Sequence, residues 1–129
     1  MLNLLLTIFL SVANAQSPIT ITASDGSRVH ATATSMKGAK QGVLMVHMLG
    51  RDSSDWSFLS KKLHQIKFST IAIDLRGHGK STKSGAELSD EDYSSMLADL
   101  EAGVNWLRSK GVTDVSCVGA SIGANLCAQ

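Results

Sequence analysis

The segment Gly119-Ala120-Ser121-Ile122-Gly123 carries the clearest chemical signal in this chain. It follows Val115-Ser116-Cys117-Val118, an apolar run that reads as a buried strand, and it precedes a stretch from Ile122 that favours helix. A serine at that junction sits on a sharp strand-to-helix turn. Glycines two positions to either side, Gly119 and Gly123, let neighbouring backbone approach where a Cβ would clash. The start of the helix surrounds Ser121 with free N–H groups that favour negative charge. This is the arrangement a nucleophilic hydroxyl needs to attack a carbonyl while an oxyanion forms beside it. The same glycines do not read as a phosphate-binding loop, because no Lys-Ser or Lys-Thr follows them.

Two further segments stand at the ends of predicted strands. His47-Met48-Leu49-Gly50 follows the apolar run Val43-Leu44-Met45-Val46. In a parallel sheet that end lies on the same edge as the Ser121 turn, so backbone N–H groups there can face a reacting carbonyl. Asp74-Leu75-Arg76-Gly77-His78-Gly79-Lys80-Ser81 follows the strand Thr70-Ile71-Ala72-Ile73. His78 invites a reading as catalytic base. The segment reads better as a structural loop, with Asp74 and Arg76 tying the turn.

The elements that must position these residues follow from periodicity. Ile19 to Thr22 and Val29 to Thr34 alternate around Asp25-Gly26, a β-hairpin pattern. Trp56, Leu59, Leu63 and Ile66 share one helical face behind the N-cap candidates Asp52 to Asp55. Ser89 to Asp92 reads as a capping box opening a helix whose apolar stripe runs Tyr93, Met96, Leu97, Leu100, Val104 and Leu107. Strands alternating with helices imply an α/β fold: a mostly parallel sheet, right-handed crossovers and helices on both faces.

Composition narrows the class. The 129 residues allow one domain at most, and 43% apolar with 18% charged residues is globular. A net charge of +1 with no basic cluster gives no footprint for nucleic acid and no polybasic membrane patch. Met1 to Val12 is apolar but too short to span a bilayer. Ala13-Asn14-Ala15 supplies small residues for an export peptidase, so residues 1–15 read as a signal peptide, with Gln16 the new N-terminus. Export to the periplasm or the exterior follows, with no stable membrane association after cleavage. Cys117 and Cys127 are expected as two buried reduced thiols, one on a strand and one on the next helix. No Cys/His spacing marks a metal site, and no cofactor is called for. The sequence sets no oligomeric state.

Together and in this order, the three segments resemble the α/β-hydrolase family over residues 42–129. His47 to Gly50 is similar to that family's oxyanion loop, Asp74 to Ser81 to its D-x-R-G-H-G-x-S loop, and Gly119 to Gly123 to its nucleophile elbow. Within the family, Ile122 and the compact loops look similar to dienelactone-hydrolase-like and small carboxylesterase members. Met48 departs from the pattern, standing where the family usually has Gly. The resemblance implies Ser121 as nucleophile and the backbone N–H groups of Leu49 and Ile122 as the oxyanion hole. It also implies a small-molecule acyl substrate, most simply a carboxylic ester. Thioesterase, lactonase, amidase and cofactor-free peroxidase activities stay open, as does a non-catalytic binding protein on the same fold. Serine at the elbow argues against dehalogenase or epoxide-hydrolase chemistry, where the family places Asp.

The family's order is nucleophile, then acid, then His. All four histidines, His30, His47, His64 and His78, precede Ser121, and nothing acidic follows it. The expectation is therefore a partial domain over residues 16–129, with the catalytic acid and His beyond residue 129. Such a piece, alone, is expected to be inactive and insoluble or partly molten, because its Cys117 strand would be an open apolar edge.

Overall fold

The computed structural model describes residues 16–83 and 87–129, so the signal-peptide expectation for residues 1–15 lies outside the described residues. The chain runs β1 (Ser17–Thr22), β2 (Arg28–Thr34), β3 (Gln41–Val46), α1 (Ser57–Gln65), β4 (Ser69–Ile73), α2 (Asp90–Ser94), α3 (Met96–Ser109), β5 (Asp114–Gly119) and α4 (Ile122–Cys127). A short 3₁₀ turn, Ser53–Trp56, leads into α1. The strand order is β1-β2-β4-β3-β5. The sheet is mixed: β3 lies parallel to both β4 and β5, while the expected hairpin, β1 with β2, joins β4 antiparallel.

The alternation of side chains along the strands explains the two layers. Val43, Met45 and Ala72 face α1 and pack with Trp56, Leu59 and Leu63. Leu44, Val46, Ile71 and Ile73 face the other side, against Met96, Leu100 and Leu107 of α3 and Leu126 of α4. β3 and β4 are covered on both faces, which is why they read as unbroken apolar runs.

The start of α2 follows the sequence expectation; that of α1 does so only in part, since α1 begins at Ser57 without a side-chain cap and Ile66 lies past its end, exposed. Asp52 caps the 3₁₀ turn through the Ser54 N–H. Ser89 and Asp92 form a reciprocal capping box at α2. The expected single helix from Tyr93 to Leu107 is broken, however. Ser95 closes α2, α3 starts at Met96, and Tyr93 is exposed and leaves the apolar stripe.

The cysteine expectation is corrected. Cys117 and Cys127 are joined by a disulfide, with Cα atoms 5.5 Å apart. After the turn at Ser121, α4 folds back over β5, so residue 127 on its second turn comes to lie above residue 117 on the strand. Cys117 is also half-buried rather than buried, on the strand that forms one edge of the sheet.

Candidate active site

Sheet register places the two decisive segments side by side. Val46, the last residue of β3, pairs with Gly119, the last of β5. His47 and Ala120 therefore leave the sheet at the same edge, and the Ala120 N–H donates to the Val46 carbonyl at 3.1 Å. Ser121 then turns the chain with φ 53° and ψ −117°, a backbone region that non-glycine residues rarely occupy. Its side chain is exposed and makes no capping hydrogen bond.

The flanking glycines are required by packing. A Cβ on Gly119 would lie 2.2 Å from the Gly123 carbonyl carbon, and one on Gly123 would lie 2.3 Å from the Val46 carbonyl oxygen. The first turn of α4 thus sits directly against the end of β3. The first N–H groups of a helix have no intrahelical acceptor, and Ile122 is the first residue of α4.

His47 organises the neighbouring loop. Its ring is fully buried. Nδ1 donates to the Met48 carbonyl at 2.7 Å, and Nε2 accepts the Leu75 N–H at 3.0 Å, so the two contacts fix one neutral tautomer. The Arg51 N–H also donates to the Met48 carbonyl. In a planar trans peptide the carbonyl of Met48 and the N–H of Leu49 point in opposite directions. Holding that carbonyl therefore turns the Leu49 N–H away from the His47 ring. Met48 is accommodated without burial: its side chain is 44% exposed, and that of Leu49 is 47% exposed.

Asp74 binds the surrounding loops together. Its carboxylate accepts the N–H groups of Ser53 at 2.7 Å and Lys80 at 2.9 Å, and His30 Nδ1 at 3.0 Å. Burial pushes its pKa up, but these hydrogen bonds outweigh that effect and hold it below the ordinary value. Arg76 differs from expectation. Asp74 ties the turn as expected, through the Lys80 N–H and the Ser81 hydroxyl, but the Arg76 side chain leaves it. It reaches Asp99 on α3 at 2.7 Å and Asp25 in the β1–β2 turn at 2.6 Å, with Asp99 wholly buried. The Asp25 carboxyl is lowered to about 2, chiefly by its hydrogen bond from Arg76. Asp99 had no sequence signal beyond an acidic residue on the buried face of a helix. His78 is buried with Nδ1 on the Arg76 carbonyl, its ring tilted against His47 at 5.0 Å.

Residues 42–129 match the alpha/beta hydrolase fold family. The chain belongs to that family. It is 34% identical over 92 residues to the uncharacterized protein Rv2715 of Mycobacterium tuberculosis, covering 71% of this chain and 25% of the relative. This α/β-hydrolase chain thus spans about a quarter of the length of the curated relatives it matches. Among solved structures, the Pyrococcus furiosus esterase Pf2001 superposes with a TM-score of 0.73 at 21% identity, over 89% of this chain and 46% of that one. Epoxide hydrolase A of Mycobacterium thermoresistibile gives 0.71 at 22% identity, over 87% and 33%. Both likenesses are to the fold.

Burial lowers the pKa of His47 from its ordinary 6.5, and the nearby His78 lowers it further, against the raising effect of the Met48 carbonyl. The sign follows from linkage. Below pH 6.5 the unfolded chain binds a proton that folded His47 refuses, so its contribution to stability is complete above pH 6.5 and is lost as pH falls towards the folded value. In the full-length protein, His47→Asn is expected to flatten this dependence below pH 6.5. It is also expected to cost about 1–3 kcal/mol at pH 8, because the buried Leu75 N–H loses its acceptor. Urea unfolding at several pH values measures both. Equal slopes in the two proteins would remove His47 from the account.

Proposed function

We propose that the full-length protein is an exported serine hydrolase acting on carboxylic esters or related acyl substrates. The observation that carries the proposal is Ser121 itself: exposed, on a strained turn, at the sheet edge where the His47–Gly50 loop also emerges. In the proposed reaction the Ser121 hydroxyl attacks the substrate carbonyl. The N–H groups of Leu49 and Ile122 hold the oxyanion, in the place such preorganised donors are most effective. A histidine takes the proton and passes it to the leaving group, and water then releases the acyl group.

That histidine is placed beyond residue 129, together with its orienting acid, because the four present are unsuited. His30 lies on β2, three strand spacings from β5, or roughly 14 Å across the sheet. His64 is near the C-terminal end of α1, which leads to the start of β4 at the opposite sheet edge. Both nitrogens of His47 are engaged. His78 follows β4, two strands from β5, and is buried against the Arg76 carbonyl.

A fluorophosphonate probe tests the reading. The full-length protein is expected to be modified on Ser121, mapped by mass spectrometry, with an acid and a later His in the remaining chain. No modification, or modification of a different serine, would overturn the assignment and favour a binding protein on this fold.

A further inference from the structure

We propose that the Cys117–Cys127 disulfide is a positioning device for Ser121, so that this serine reacts at its full rate only while the bridge is intact. The inference rests on the reading of Ser121 as nucleophile. Cys117 stands four residues before Ser121 on β5, and Cys127 six residues after it at the end of α4. The ring they close therefore contains the whole turn, both glycines included.

The turn needs such a constraint. Ser121 holds a φ of 53°, and a conformation of that kind persists only where the surroundings over-determine it. The non-covalent ties of α4 include the Ala120 N–H to the Val46 carbonyl, the close seat of Gly123 on β3, and the packing of Ile122 and Leu126. The bridge adds a covalent tie at the base of the turn, holding strand and helix 5.5 Å apart at the two Cα atoms. With it in place, α4 cannot swing from β5 to let Ser121 relax to an ordinary backbone angle. Without it, Ser121 and the Ile122 N–H lose their common alignment.

Among the described residues both cysteines are half-buried rather than enclosed. Both cysteines line an open groove of about 410 Å³ bounded by Leu97, Leu100 and Val104 of α3. A small dithiol reduces the bridge by two-electron exchange. Its two thiols supply two electrons and two protons, Cys117 and Cys127 become thiols, and the dithiol becomes a cyclic disulfide. An exported protein meets the oxidising surroundings that keep such a bridge closed.

The test uses the full-length protein, with and without dithiothreitol, beside a Cys117→Ser/Cys127→Ser variant and a volume-filling Cys117→Val/Cys127→Ala variant. The reading is the rate of fluorophosphonate modification of Ser121, with kcat and KM on a short acyl ester. Near-UV circular dichroism checks that each form is folded. Reduction and both double substitutions are expected to slow modification and lower kcat by about tenfold or more, with KM within about twofold, as misplacement of a reacting group does. Equal modification rates in all folded forms would overturn this inference and leave the nucleophile assignment standing. Alkylation of Cys117 and Cys127 without prior reduction would overturn it too. Failure to modify Ser121 in the oxidised protein would overturn the assignment and this inference with it.

Discussion

Ser121→Ala is expected to lower kcat on a short acyl ester by roughly 10⁴–10⁶-fold in the full-length protein, with KM little changed. The size follows from what is removed. On the proposed reading the hydroxyl oxygen bonds to the substrate carbonyl, so its loss leaves only binding and oxyanion stabilisation, worth roughly 10³–10⁴ over water. Stability is a built-in control. The Ser121 side chain is exposed and caps no helix N–H, and Ala at φ 53° is no easier to accommodate than Ser. Folding stability should therefore stay within about 0.5 kcal/mol. Steady-state kinetics and urea unfolding on the same preparations separate the two effects. Undiminished turnover would refute the nucleophile.

The parts legible in the sequence were those with a strong local cause. β3 and β4 were readable because burial on both faces demands unbroken apolar runs, as in Val43 to Val46. The capping box at Ser89 was readable because the residues that satisfy the helix end sit three apart. The Ser121 turn was readable because only glycines fit at 119 and 123. What escaped depends on pairs brought together by the fold. The Cys117–Cys127 bridge needs α4 to return over β5, which the spacing of ten residues does not by itself reveal. The partners of Arg76 lie 23 residues after it and 51 before it, on Asp99 and Asp25, too far along the chain for local spacing to reveal them. The break at Ser95 escaped for a different reason. The three-residue step from Tyr93 to Met96 fits an unbroken helix in the sequence, so periodicity alone does not register the stop that turns Tyr93 outward.

Gly123→Ala sets two physical effects against each other, and their sizes decide the outcome. Gly123 lies within α4 at an ordinary negative φ, where alanine is favoured over glycine by about 1 kcal/mol. Propensity alone would make the substitution stabilising. The new Cβ would however lie 2.3 Å from the Val46 carbonyl oxygen and 2.8 Å from that of His47, both backbone atoms at the end of β3. Neither can rotate aside, so α4 must move off β3 and carry Ser121 and the Ile122 N–H with it. Overpacking of this kind costs about 3 kcal/mol, which outweighs the propensity gain. A shift on the order of 1 Å at the reacting groups lowers turnover by about 10²-fold. Gly38→Ala supplies the contrast. Gly38 sits at φ +78° in the loop before β3, at the opposite end of that strand from His47, with open space around it. Its substitution should cost about 1–2 kcal/mol of backbone strain and leave kcat unchanged. If the two alanine variants lose stability equally and both keep full turnover, close seating of α4 on β3 is not what holds the Ser121 turn in place.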